Sequence, residues 1–426
     1  MRGLPEQLQL RWLGVYVVLA VAWTWPAAVT TEVLGIHPDA EGTAWFVDAA
    51  PRLWDGLHDE LTGWPEGVVY GRPDSFVLMG LATLLQALSP ARLLAWLALF
   101  GVALSAWVAD GFARALGARP PWSIVAGLSF GFCGLAATAL LEGYVYHLVD
   151  PWLPALGWAW WRATGRDGQV RHGVMAGLAF TGALWTTAYL GVAAALLVLG
   201  MLLGTVLVRG ARRRLRRGPL GWAAATVTPG VLAYLALFLS AQDAPGSHRA
   251  PPGSVTAQLS RTLTRWIGPT VETDFSEVSQ SPALVGTVLV LFAVSPVVLS
   301  HRQRWRPLAW AACLALGLAL LPQWTFRDLD EGGALQLLLA ASFRFPDRFL
   351  WVWQLCAGVV AAQVLTELGQ RHRKGASVLV GAALLDAFFW IGMPGRQGSR
   401  PSQVPTAYSA HEGPVLDLFP EGSDPT

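Results

Sequence analysis

The sequence has 426 residues, of which 54% are hydrophobic and only 14% are charged. Soluble domains carry about 25% charged residues, so the composition excludes an ordinary soluble enzyme and leaves room for about ten membrane-crossing helices. The formal net charge is only +2, and nothing in it predicts nucleic acid as a partner. One lysine, Lys374, and no asparagine occur in the chain, a bias typical of a GC-rich bacterial genome.

Arginine clusters set the predicted orientation, because cytoplasmic loops concentrate Arg and Lys. The four clearest clusters are placed on the cytoplasmic side: 162–171, 209–217, 301–306 and 371–374. The first apolar run is interpreted as a retained helix, since no clean signal-peptide cleavage site follows it. Eleven crossings result: 11–29, 91–112, 122–141, 152–163, two within 173–208, 219–240, 284–300, 308–322, 348–368 and 376–392.

This arrangement predicts an all-α polytopic transmembrane helix bundle. Residues 1–394 form the transmembrane domain, with outer loops at 30–74, 241–283 and 323–346 and an outer tail at 395–426. The N-terminus is predicted to be cytoplasmic and the tail outside, in the inner membrane of a bacterium. The first loop suits the outer side because it contains nine acidic residues and only two basic ones.

Two segments near the first loop are predicted to lie at the membrane interface rather than to cross it. Residues 43–57 show an amphipathic helical pattern, which fits either a helix in the interface plane or one packed on other helices of the protein. The apolar segment 75–88 has fourteen residues, too few for a crossing, and is predicted to be re-entrant or interfacial. Gly127 and Gly131 form a GxxxG pattern, which predicts close helix packing.

Three clusters carry the residues that could perform chemistry, and all are predicted at one membrane face. His37, Asp39 and Glu41 follow the first helix. Two carboxylates this close can act on one hydroxyl or bind one hard cation, although solvated loop acids are the simpler reading.

The second cluster contains Tyr146, His147 and Asp150, at the outer end of the third predicted helix. Asp150 precedes a proline, so a helix N-cap is its alternative role. The third cluster contains Arg344 and Arg348 among aromatic residues, an arrangement that suits either a bound phosphate or a lipid head group.

Taken together, these motifs resemble the GT-C class of membrane glycosyltransferases, which includes the protein O-mannosyltransferases and the aminoarabinose transferase. The likeness is carried by the acidic pair Asp39 and Glu41, by Asp150, and by Arg92 at the start of the second helix. The segments 64–67, 345–349 and 413–420 also resemble the family pattern. The last of these resembles the point where related bacterial chains enter an outer soluble domain.

The resemblance implies transfer of a sugar from a polyprenyl-phosphate donor, with inversion, to a periplasmic glycan, lipid or protein acceptor. It implies Asp39 as the base, with Glu41 and Asp150 in supporting roles. His37, Tyr146, His147, Arg92, Arg344 and Arg348 are implied to bind substrate.

A divalent cation, Mg²⁺ or Mn²⁺, would be bound by Asp39, Glu41 and Asp150 if the protein uses one. The second motif has a single acid, however, where metal-dependent members have more. The alternatives are a transporter or flippase for lipid-linked glycans and a non-catalytic assembly protein.

Overall fold

The computed structural model describes residues 10–26, 33–35, 39–54, 58–59, 68–69, 75–141, 143–148, 150–165, 168–207, 217–240, 286–300, 305–319, 346–390 and 399–400. Within them the chain is almost entirely helical. The helices of the first half are α1 Leu10–Thr24, α2 Asp39–Ala49, α3 Phe76–Leu84, α4 Pro90–Ala115, α5 Ile124–Gly131, α6 Gly134–Leu141, α7 Trp152–Ala163, α8 Val170–Thr186 and α9 Ala188–Leu207. Those of the second half are α10 Arg217–Ser240, α11 Gly286–Val298, α12 Arg306–Ala319, α13 Leu350–Arg371 and α14 Arg373–Leu385.

Two short antiparallel β-ladders accompany the helices. β1 (Val33–Leu34) pairs with β4 (Ser399–Arg400), and β2 (His58–Asp59) pairs with β3 (Val68–Val69). The β1–β4 ladder joins the segment after α1 to the segment after α14.

Several helices are apolar and long enough to cross a bilayer, which identifies the chain as a helical membrane protein. Within the described residues, four spans meet both criteria: α4, α5 with α6, α9 and α13. The apolar helices α1, α11 and α12 are shorter. The predicted count of about eleven crossings is therefore not confirmed, because many of the apolar runs form helices too short to qualify by themselves.

Helix α13 lies at the centre of the bundle, buried from Leu350 to Glu367, and contacts α5, α11 and α12. Glycines allow the close contacts among neighbouring helices. A Cβ at Gly358 would come within 2.6 Å of the Ser129 Cβ, and one at Gly131 within 2.7 Å of the Ala106 Cβ. The GxxxG pattern of α5 thus serves close packing, as predicted, with Gly127 against the Tyr16 ring.

The first-loop helix differs from its prediction in where it begins. It starts at Asp39 rather than residue 43, and it packs on α3 and α4. Ala49, Ala50 and Leu53 are fully buried, while the Trp54 indole donates a 2.8 Å hydrogen bond to Thr83 of α3. Protein therefore covers part of the apolar face, while Trp45 and Trp54 stay exposed. Residues 55–57 of the predicted helix lie outside the described residues.

The segment predicted to be re-entrant forms α3, which has nine residues and contacts α2 and α8. Its first turn is capped by the Ser75 hydroxyl, which accepts a 3.0 Å hydrogen bond from the Leu78 N–H. At about 1.5 Å per residue this helix is far too short to cross a bilayer.

Asp110 and Asp386, two acidic residues of apolar segments, both have protein partners. Asp110 is fully buried in α4 and forms an ion pair with Arg114, one turn away. Asp386 begins a π-helical turn, Asp386–Trp390, and accepts hydrogen bonds from the Thr287 N–H (2.9 Å) and hydroxyl (2.6 Å) at the start of α11. The Asp110 ion pair lies within α4, whereas the Asp386 carboxylate joins the segment after α14 to the start of α11.

Replacing Asp386 with Ala should lower the stability of the bundle. The change leaves the Thr287 N–H and hydroxyl without their acceptor, and hydrogen bonds to a charged group contribute about 1.5–3 kcal/mol. The midpoint of thermal denaturation in detergent should fall. Asp48→Ala is the matched control, because Asp48 is exposed and its 3.8 Å ion pair with Arg52 contributes little. Equal midpoints for the two variants would contradict a structural role for Asp386.

Candidate active site

The start of α2, which carries the first acidic motif, touches the second motif through backbone atoms. Ala40, between Asp39 and Glu41, lies against Gly143, where an added Cβ would overlap the Ala40 Cα. Gly35 closes the contact, since its Cβ would lie 2.7 Å from the Ala40 Cβ and 3.0 Å from the Gly143 Cα. Gly143 and Gly35 also have φ angles of +80° and +117°, which side chains disfavour. The two motifs therefore meet in a contact that only glycines permit.

Residues 143–148 follow α6 and form a turn, here named the recessed turn, that descends into the bundle. Its 3-10 segment is Val145–His147, and Val145, Tyr146, His147 and Leu148 are buried. The Leu148 carbonyl accepts a 3.3 Å hydrogen bond from the Ser105 hydroxyl of α4. Ser105 is fifteen residues beyond Pro90, or about 22 Å along the helix axis.

The contact between Leu148 and Ser105 explains the length of α7. From Ser105 to the end of α4 at Ala115 the helix rises only about 15 Å. Helix α7 packs on α4 and has twelve residues, or about 18 Å. A helix of this length suffices because its chain starts from the recessed turn rather than from the surface.

His147 is the most enclosed polar group of the turn, with 4% of its surface exposed. The rings of Tyr144, Tyr146 and Tyr189 surround it, with centroids 6.0, 4.8 and 6.4 Å away. Among the described residues, neither imidazole nitrogen has a hydrogen-bond partner. Burial lowers the pKa of His147 well below its usual value, and the nearby charge of Arg348 lowers it further. The imidazole is therefore neutral at neutral pH and can donate one hydrogen bond and accept another.

Asp150 is buried at the start of α7, with 1% of its surface exposed. One carboxylate oxygen accepts a 3.2 Å hydrogen bond from the Leu153 N–H, the capping contact expected of an acid in this position. The other oxygen has no hydrogen-bond partner among the described residues. Burial raises the pKa of Asp150 well above its usual value, although backbone N–H groups of Leu153 and Trp152 oppose the shift. Helix capping thus engages one of the two carboxyl oxygens of Asp150 and leaves the other for a ligand.

Arg348 approaches the same turn from the other end of the sequence, in the 3-10 segment Pro346–Phe349 that leads into α13. Its guanidinium carbon lies 4.3 Å from the centroid of the Tyr189 ring and 5.5 Å from that of Tyr144. Both distances are typical of cation–π contacts. Phe349, next in sequence, is fully buried and anchors the segment.

The other predicted site residues are less well placed or lie outside the description. Arg92 is exposed in the first turn of α4, next to Ala91, which packs near Ala40. His37 and Arg344 lie outside the described residues, and only the backbones of Asp39 and Glu41 are described. The structure therefore places the backbone of the acidic pair against Gly143, at the start of the recessed turn, and Tyr146 and Arg348 near His147 further along it. Asp150 follows at the start of α7.

The described side chains contain no group of three His, Cys, Asp or Glu residues that could hold a metal ion. The side chains of Asp39 and Glu41 lie outside the described part of the chain. The predicted Mg²⁺ or Mn²⁺ site, which depends on both, stays a prediction.

The sequence patterns do not predict two residues that contribute to this region, Tyr189 and Ser105. Tyr189 lies within the run 173–208, which predicts two crossings, and Ser105 lies within the predicted crossing 91–112. Tyr189 could have been found from the sequence because it is an aromatic residue at the start of a helix. No local pattern marks Ser105, because its partner is a carbonyl 43 positions away.

No protein-family model matches the sequence, and a search of curated proteins finds no match either. A functional proposal therefore depends on the geometry of the recessed turn and on the likeness of the motifs to a known class.

Proposed function

We propose that the protein is a membrane glycosyltransferase of the GT-C type, which transfers a sugar from a polyprenyl-phosphate donor to an acceptor at the outer face of a bacterial inner membrane. The acceptor is a periplasmic glycan, lipid or protein. The recessed turn is the observation that carries the proposal. His147 lies in this turn and Asp150 lies beside it, and both are buried with polar atoms that have no partner among the described residues. Arg348 is near His147, and the turn begins against α2, which carries the acidic pair.

Buried polar atoms without partners support a binding role, because leaving them unpaired in a folded bundle costs free energy. His147 and Asp150 leave three such atoms among them: both imidazole nitrogens and one carboxyl oxygen. A sugar or acceptor hydroxyl group can donate to and accept from these atoms. Perturbed pKa values at a cluster of this kind are also typical of functional sites.

In the proposed reaction Asp39 removes the proton from the acceptor hydroxyl. The acceptor oxygen then forms a bond to the anomeric carbon while the bond from that carbon to the phosphate oxygen breaks, which inverts the configuration. The leaving polyprenyl phosphate keeps the electron pair. Glu41 positions the acceptor or helps to bind a cation, and Asp150 orients the acceptor or shares that cation.

The leaving phosphate requires positive charge, and Arg348 supplies it in this proposal. Guanidinium groups bind phosphate oxygens through paired N–H donors. Neutral His147 can donate a further hydrogen bond to the phosphate or to the sugar. Arg344 and Arg92 are additional candidates for the donor's phosphate, and His37 and Tyr146 for its sugar.

The partners of Asp110 and Asp386 count against ion-coupled transport, the main alternative. Transport pathways place ionisable residues where a substrate or proton can reach them. Asp110 is instead paired with Arg114, and Asp386 bonds to Thr287 at the start of α11. A non-catalytic assembly protein has no use for buried polar atoms without partners, such as the His147 nitrogens and the second Asp150 oxygen.

Release of polyprenyl phosphate from a panel of polyprenyl-phosphate sugars tests the proposal. The purified protein in detergent should release it from at least one donor when a hydroxyl acceptor is present. Folding is verified by circular dichroism, and heat-denatured protein serves as the blank. Folded protein that releases nothing from any donor, with any acceptor class, would overturn the proposed transfer.

A further inference from the structure

Arg348 is held against an aromatic surface, and that surface belongs to a helix far away in the sequence. The guanidinium carbon lies 4.3 Å from the centroid of Tyr189, the second residue of α9. Tyr144 of the recessed turn lies on the same guanidinium at 5.5 Å. An arginine stacked on a ring face keeps its N–H groups in the plane of the guanidinium, where they can form bidentate hydrogen bonds to a phosphate.

The Tyr189 ring is itself held in place by the geometry at the start of α9. Thr187 is buried and extended, with φ −161° and ψ 153°, and separates α8 from α9. Its hydroxyl accepts hydrogen bonds from the Tyr189 N–H (3.0 Å) and the Leu190 N–H (3.4 Å). The first turn of α9 is thus capped, and Tyr189 is attached to a fixed backbone.

Tyr189 also contacts the histidine of the turn, since its ring centroid lies 6.4 Å from that of His147. One tyrosine therefore touches both groups that would face the donor in the proposed reaction. A purely structural aromatic in this bundle has other surroundings: Tyr234 is buried against Phe76, with ring centroids 6.5 Å apart.

We infer that Tyr189 is a positioning residue, whose ring stacks on Arg348 and aims its guanidinium at the phosphate of a polyprenyl-phosphate ligand. This inference rests on the proposed function, because the phosphate is that of the proposed donor. It assigns to α9 a role in recognising the phosphate, separate from recognition of the sugar or the polyprenyl chain.

The role of Tyr189 is tested by measuring the affinity of the protein for two matched lipids. The probes are a short-chain polyprenyl phosphate and the corresponding polyprenol, which lacks only the phosphate. Tyr189→Leu should weaken binding of the phosphate by about two- to thirty-fold, the range of a cation–π contact, and leave polyprenol binding unchanged. Tyr189→Phe keeps the ring and should bind like wild type. Tyr234→Leu, the matched control, should keep the wild-type preference for the phosphate.

A double-mutant cycle separates positioning from general packing. If Tyr189 acts through Arg348, then Tyr189→Leu should weaken phosphate binding less in an Arg348→Gln background than in wild type.

The possible failures have different signatures. A wild-type protein that binds polyprenyl phosphate no better than polyprenol would overturn the proposed donor and this role with it. A wild-type preference that survives Tyr189→Leu would overturn the role of Tyr189 alone. Equal losses in Tyr189→Phe and Tyr189→Leu would assign the effect to the hydroxyl group and not to the stacked ring.

Discussion

Asp39→Asn should reduce transfer by about 10²–10⁴-fold, the contribution typical of a general base. Asparagine has nearly the same shape as aspartate but cannot accept the proton of the acceptor hydroxyl. Membrane insertion and helix content should not change, because Asp39 is at the first residue of α2 and the rest of that helix packs through apolar side chains. The measurement is the rate of polyprenyl phosphate release, with insertion verified by membrane fractionation.

Asp48→Asn is the control for that variant. Asp48 lies in the same helix, and its exposed side chain pairs only weakly with Arg52 at 3.8 Å. It should transfer sugar at the wild-type rate. A similar loss in both variants would indicate that the charge of α2 matters and not a base at residue 39. Normal transfer by Asp39→Asn would remove Asp39 from the role of base.

Gly143→Ala should disrupt the site as strongly as the loss of the base. The new Cβ would overlap the Ala40 backbone, which cannot move aside as a flexible side chain could. The positive φ of +80° adds strain of about 1–2 kcal/mol for an L residue. Helix α2 must therefore shift away from the recessed turn, and a displacement of about 1 Å can cost roughly 10²-fold in rate. The rate of release and the denaturation midpoint should both fall.

Gly42→Ala is the matched control, because Gly42 is also a glycine of the acidic motif. An added Cβ there has no atom within 4 Å, and the residue lies within helix α2. Alanine should therefore leave transfer near the wild-type rate and stabilise the helix by up to about 1 kcal/mol. A Gly143→Ala protein with wild-type transfer would show that the contact between α2 and the recessed turn is not needed.

Local sequence patterns were sufficient for most helices but not for their arrangement. Helix α7 was predicted at 152–163 and is observed at Trp152–Ala163, because an apolar run between a proline and a basic cluster has clear limits. The start of α2 was placed too late, since Pro38 and Gly42 make the preceding residues look like a turn. The contact of Ala40 with Gly143 and Gly35 stabilises the helix from Asp39 onward, and no local propensity contains that information.

The candidate site was predictable as a set of motifs, while its geometry was not. The chemistry of His147 and Asp150 predicts a functional site, and the structure adds that both are buried and carry polar atoms without partners among the described residues. The stacking of Arg348 on Tyr189 joins residues 159 positions apart, so only the packing of α9 beside the segment before α13 reveals it. The catalytic role of Asp39 and Glu41 stays a prediction.

The ladder between β1 and β4 has a practical consequence for experiments on sidedness. Because Val33 pairs with Arg400, the chain after α14 is bonded to the strand that leads into α2. A reporter enzyme joined directly after Arg400 would therefore lie near β1, which is followed by Gly35 and its contact with Gly143 of the recessed turn. Its activity in whole cells would reveal on which side of the membrane the start of α2 lies, without a tag inside the acidic loop.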